Sequence, residues 1–135
     1  MNNKKNIIDQ WLQSAEQDLN KAQSLLDDAR YDWCVFFCHS VIEKALKAYY
    51  VYVNNAIAPE THDLVYLAKN SGINLDEKKI KLFNLLKGFY MEANNPKEGG
   101  WPFYLIYRRC DIGFARRNLE LVEEIYKWLK STLIY

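Results

Sequence analysis

No glycine-rich phosphate loop occurs anywhere in the 135 residues, and serine, histidine and cysteine form no recognisable catalytic pattern. The two histidines, His39 and His62, lie on different elements with no cysteine or carboxylate cluster at ligand spacing, so no metal and no cofactor is expected. The three cysteines, Cys34, Cys38 and Cys110, are an odd number without a metal pattern. Cys34 and Cys38 stand one helical turn apart, a poor geometry for a disulfide, so all three are expected to be buried free thiols in a reducing cytoplasm. Charge of one sign is also lacking. Lys plus Arg number 18 and Asp plus Glu 17, and the global balance points to neither a nucleic acid nor a membrane surface. The opening MNNKKNIIDQ has no apolar core of a signal peptide. The longest apolar run is broken by Lys44 and Lys47, which excludes a membrane span. No stretch alternates with period two, and there is no internal repeat.

Apolar and aromatic residues are plentiful. Half of the chain is hydrophobic, which excludes disorder, and its length suits one domain, residues 1–135, with a real core. Ten tyrosines and four tryptophans are many for this size. Amphipathic rings are enriched at interfaces, so a dimer or hetero-complex surface is expected, although any single ring can simply fill the core. The stretch Trp33 to Val53, WCVFFCHSVIEKALKAYYVYV, organises the rest. As a helix it is apolar nearly all round. His39, Ser40, Glu43, Lys44 and Lys47 form one polar stripe within about 140° of arc. So greasy a helix must be surrounded by others, and its stripe needs hydrogen-bond partners wherever it is buried.

The remaining pattern is helical throughout. Ile7, Ile8, Trp11, Leu12, Ala15, Leu19, Ala22, Leu25, Leu26 and Ala29 predict a first helix over 6–29. After a short link, Asp32 is expected to cap the spine helix, which ends at Asn54-Asn55 in a left-handed cap. Thr61 or Asp63 caps a short helix stopped by Ser71-Gly72, and Asp76 caps another over 77–93 whose lysines 78, 79, 81 and 87 face water. Residues 94–102, NNPKEGGWP, cannot continue a helix. A last helix starts between Tyr104 and Asp111 and runs to about Leu133. The fold class is all-α, an up-and-down four-helix bundle with one additional short helix.

Three features can carry chemistry. The polar stripe is either a partly solvated helix face or a dimer or ligand groove in which Glu43 pairs with a basic group across the interface. In Thr61-His62-Asp63, His62 either braces the loop or serves as a base or phosphate-binding residue. Between Tyr104 and Arg117 stand four arginines, Arg108, Arg109, Arg116 and Arg117, with one acid, Asp111. Beside Tyr107 and Phe114 they can hold phosphates and stack on unpaired bases, or they can pair with the acids of the first helix.

Three segments together resemble the HEPN domain. They are Trp11-x-x-x-Ala15-x-x-Asp18-Leu19-x-x-Ala22, then Tyr31-x-x-Cys34-x-x-x-Cys38-His39-x-x-x-Glu43-Lys44-Ala45-Leu46-Lys47-Ala48, then His62-Asp63-Leu64-x-x-Leu67. The resemblance covers nearly the whole chain. It implies a helical bundle that dimerises around a groove, often beside a minimal nucleotidyltransferase in toxin–antitoxin or nucleotide-handling pairs. Many such proteins are metal-independent ribonucleases that use an Arg, four to six intervening residues and a His near the start of the last long helix. This sequence departs from that motif, because both histidines lie upstream of the last helix and Asn94-Asn95 stands before the loop proline.

The function expected is therefore a nucleotide- or RNA-binding module, a cytoplasmic homodimer working with a nucleotidyltransferase and not itself catalytic. Arg109, Arg116 and Arg117 are its phosphate contacts, and His39, Glu43, Lys47 and His62 line its groove or dimer interface. A weak ribonuclease, or a purely structural protein-interaction domain, are the alternatives.

Overall fold

In the computed structural model the described residues are 2–93 and 110–135. They form five helices and no strand: α1 (Asn2–Asp27), α2 (Tyr31–Asn54), α3 (Leu64–Lys69), α4 (Glu77–Ala93) and α5 (Ile112–Ser131). α2 packs against all four others and so is the spine. Its fully buried apolar residues, Cys34, Val35, Cys38, Val41, Ile42, Ala45 and Ala48, fill one broad face, and His39, Glu43, Leu46, Lys47 and Val51 extend the buried surface nearly all the way round its axis. The other helices are one-sided. Ile8, Leu12, Ala15, Ala22 and Leu26 close α1 onto it at steps of three, four and seven. Leu82, Phe83, Leu86 and Phe89 do so from α4, and Ala115, Leu119, Val122, Tyr126 and Leu129 from α5.

Helix ends are set by local chemistry. α1 stops two residues earlier than its apolar pattern suggests. Ala29 turns left-handed (φ 61°), and Arg30 N–H and Ala29 N–H bond back to Leu25 O at 2.8 Å and Leu26 O at 3.1 Å. Those paired bonds satisfy two free carbonyls of the last turn. Asn55 (φ 52°) ends α2 as expected, its N–H on Val51 O at 3.0 Å. Gly72 (φ 75°) closes α3 in the same way as Ala29 closes α1, with Ile73 N–H on Ala68 O at 3.0 Å.

Asp63, and not Thr61, caps α3, accepting from Tyr66 N–H at 3.1 Å, while Thr61 Oγ1 accepts from Asp63 N–H at 3.1 Å. Asp76 caps α4 through Lys79 N–H at 2.8 Å. Asp111 caps α5 through Phe114 N–H at 2.9 Å, which places that helix start at the late end of the expected window.

Asp32 does not cap α2. The helix begins a residue before it, and the cap position falls to Arg30, whose side chain makes no capping bond. Asp32 lies buried in the first turn. Burial pushes its carboxyl pKa up, partly opposed by the N–H groups of Trp33 and of Asp32 itself. All three cysteines are buried and free, as expected.

Candidate functional site

The polar stripe of α2 divides into an outer and an inner part. On the outer side, Asp18 of α1 takes Ser40 Oγ–H at 2.5 Å and Lys44 Nζ at 2.7 Å. This network is half-buried and joins α1 to α2.

The inner part is a cluster around the Glu43 carboxylate. Lys47 lies one turn on, and its Nζ donates to Oε2 at 3.0 Å. The α2–α3 loop folds back over the helix, so that His62 Nδ1 stands 2.9 Å from Oε1. His39, one turn before Glu43, sends Nε2 to the backbone carbonyl of His62 at 3.0 Å. Tyr90 of α4 completes the cluster, stacked on His39 at 4.5 Å between ring centroids and tilted against His62 at 4.8 Å. Trp11 of α1 approaches from the other side, with Lys47 Nζ 5.2 Å from its ring centroid. His39, Glu43 and Lys47 are buried, whereas the His62 side chain is 59% exposed.

These contacts settle proton positions. A carbonyl only accepts, so His39 Nε2 carries the hydrogen. Its Nδ1 is then a bare lone pair, buried without a hydrogen-bond partner among the described residues and 3.7 Å from Glu43 Oε1. A proton there would gain the carboxylate, but desolvation outweighs that attraction and holds the His39 pKa down at about 4. His39 is therefore neutral at pH 7. Likewise, the Glu43 carboxylate accepts from His62 Nδ1–H, which turns His62 Nε2 away from the carboxylate. Burial raises the Tyr90 pKa, with Glu43 adding to it.

Within its own chain, Glu43 thus takes Lys47 and His62 as partners. Sequence spacing accounts for Lys47 and His39, but only the folded-back loop brings in His62. Among the described residues no arginine pairs with Glu43 and no group of side chains is suited to hold a metal.

The arginines are elsewhere. Arg109, with Arg108 and Tyr107, lies outside the described residues. Arg116 and Arg117 are exposed on α5, and among the described residues neither pairs with an acid of α1. Of those acids, Asp18 holds Lys44 and Glu16 holds Lys130 at 3.6 Å, while Asp9 accepts from the Tyr135 hydroxyl and Asp27 from Gln23 Nε2. Arg117 borders a groove of about 780 Å³ between α4 and α5. Leu82, Leu85, Leu121 and Ile125 make its apolar floor, and Phe114 and Trp128 add rings. Lys78, Lys79 and Lys81, expected simply to face water, stand along the α4 side. Four cations there meet two carboxylates, Asp76 and Glu124. The sequence shows these lysines but not what lies opposite them, since α4 and α5 meet only through the bundle.

An all-helical bundle, one central helix carrying a buried His-Glu-Lys cluster, defines the class. The chain belongs to the HEPN domain family, whose model matches residues 8–132. That is a family of helical nucleotide-binding and ribonuclease-type modules. Among solved structures it is similar to TT1696 from Thermus thermophilus, with a TM-score of 0.74 and 20% identity over 93% of this chain and 98% of that one. At that identity the likeness speaks for the fold alone. Among curated proteins none matches. No helix among the described residues is long and apolar enough to cross a membrane.

Proposed function

We propose that this chain is a non-catalytic nucleotide- or RNA-binding module with Arg116 and Arg117 as phosphate contacts. The observation that carries it is the α4–α5 groove, where Arg117 shares an apolar, ring-bearing cleft with three lysines. Guanidinium and ammonium groups beside ring faces suit phosphates and unstacked bases. Family membership supports the same ligand class. On this reading the protein is a cytoplasmic homodimer of one-domain chains, working with a minimal nucleotidyltransferase in a toxin–antitoxin or nucleotide-handling pair. In the dimer, His39, Glu43, Lys47 and His62 act as groove or interface supports.

The test is a titration of the pure protein with labelled RNA and with nucleotides at low salt. Binding that weakens at least tenfold in an Arg116→Ala/Arg117→Ala variant is expected, on the scale of one to two lost phosphate contacts. No binding of either ligand refutes the proposal. Co-purification with a short nucleotidyltransferase encoded alongside would identify the partner class.

A second reading, a weak metal-independent ribonuclease, has one observation in its favour. Glu43 orients His62 so that Nε2 faces outward, the geometry of a general base. Metal-free RNA cleavage abolished by His62→Ala and by Glu43→Gln would establish it. Cleavage unaffected by both would mark a contaminant.

A further inference from the structure

The α4–α5 groove has two distinct ends. Lys79 Nζ lies 5.6 Å from the Trp128 ring centroid, and Phe89 stacks on Phe114 at 6.0 Å. The start of α4 therefore meets the end of α5, and the two helices run antiparallel along the groove. Trp128 with Lys78 and Lys79 marks one end, and Phe114 with Arg117 marks the other. On α5, residues 117 and 128 are about 16 Å apart and residues 114 and 128 about 21 Å, at 1.5 Å per residue. Each end thus offers a ring and a cation, with an apolar floor between them.

A mononucleotide cannot reach both ends. A strand can, because successive nucleotides advance about 3.4 Å when stacked and roughly twice that when extended. Three to six nucleotides cover the span. The charges suit a polyanion. At the Trp128 end, Lys79 is partly neutralised by Asp76 at 3.1 Å, but Lys78 makes no ion pair among the described residues. Lys81 makes only a loose, exposed contact with Glu77 at 3.6 Å. Glu124 is the carboxylate between the two ends and opposes a phosphate there.

We infer that this groove holds a short single strand of nucleic acid, about three to six nucleotides long, anchored at each end by an aromatic ring and a cation. The inference rests on the nucleotide- or RNA-binding reading above and narrows its ligand to a strand. Ring faces and phosphates are common to all nucleotides, so recognition is independent of sequence. Three engaged cations, Lys78, Lys81 and Arg117, give a slope of log K against log salt of about −2 for a single strand. Affinity should then fall about twentyfold between 50 and 200 mM salt.

The experiment is fluorescence anisotropy of the full chain with labelled oligo(U) of one to twelve nucleotides, with dT6 alongside. Affinity is expected to climb to about six nucleotides and then level off, with dT6 close to U6. Trp128→Ala and Arg117→Ala each weaken U6 about tenfold. Arg117→Ala also makes the salt slope shallower by about 0.7. Glu124→Gln tightens U6 severalfold. Trp128→Ala can disturb the fold, so the exposed pair Lys78→Gln/Lys81→Gln provides the same loss at unchanged melting temperature.

Uridine monophosphate binding as tightly as U6 overturns the inference while leaving nucleotide binding standing. So does U6 binding indifferent to all the groove variants. Groove variants that abolish self-association and spare U6 make it a protein contact and overturn it too. No binding of any strand or mononucleotide removes the inference and the parent reading together.

Discussion

His39 is a neutral imidazole because water has been taken from it, and stability should show this as a pH dependence. Its pKa falls from 6.5 to about 4 on folding, so between those values the unfolded chain binds a proton that the native protein refuses. Stability therefore rises with pH across this window and is lost as pH falls through it, by roughly 3 kcal/mol in all. Urea unfolding of the native sequence and of His39→Gln at pH 6.5 and pH 4.5 checks it. The native protein should lose about 2 kcal/mol more than the variant over that range. Equal losses would mean that His39 is protonated in the fold.

Glu43 is the residue on which the inner cluster depends. Removing its charge leaves Lys47 buried beside Trp11 with no counter-ion. Glu43→Gln should cost about 3 kcal/mol, and Glu43→Gln/Lys47→Met should recover most of it, because a buried pair is worth little over apolar replacements while a lone buried charge is expensive. Denaturant titration of both variants measures the difference. Loss of the His62 contact adds to the cost in both, so any part not recovered reports on the loop.

Among elements, α1 has an imperfect stop. Ala29 holds a left-handed conformation at φ 61°, where a Cβ is strained, while Gly72 does the same work at the end of α3 without that cost. Ala29→Gly should stabilise the protein by about 0.5–1 kcal/mol, read as a rise in melting temperature, once the extra freedom of glycine in the unfolded chain is offset. At the other kind of terminus, Asp111→Ala removes the acceptor of Phe114 N–H and should cost about 1 kcal/mol. A melting curve shows it. The same change loosens the first turn of α5, which carries Phe114 and leads into the turn that carries Arg117, so strand binding should weaken along with stability.

At the scale of the whole molecule, a neutral chain presents an uneven surface. The net charge is +1, yet the α4–α5 groove gathers four cations against two carboxylates. Local field, and not overall charge, governs whether an anion is drawn there. The exposed rings and aliphatics Trp33, Leu121 and Trp128 are more than a third accessible in the single chain. Light scattering should report twice the 16.0 kDa of one chain if the protein is the dimer proposed here. A monomer at micromolar concentration would remove that part of the proposal.

The amino-acid sequence by itself determined the five helices, the spine, most of the caps and the family. Each of these rests on spacing within one segment: apolar steps of three and four, Asp63, Asp76, Asn55 and Gly72 at fixed places relative to a helix end. Asp32 escaped that logic because α2 begins one residue before it, which leaves its carboxylate buried inside the first turn instead of at the cap. The sequence also placed His39, Glu43 and Lys47 on one stripe, since they lie one turn apart. Tertiary structure alone decided that His62 and Tyr90 close over that stripe, that Arg117 stands apart from it, and that the water-facing lysines of α4 also rim a groove. Those facts depend on which helix stands opposite which. Helical periodicity says what a face is made of, but the partner of that face comes only from how the elements pack.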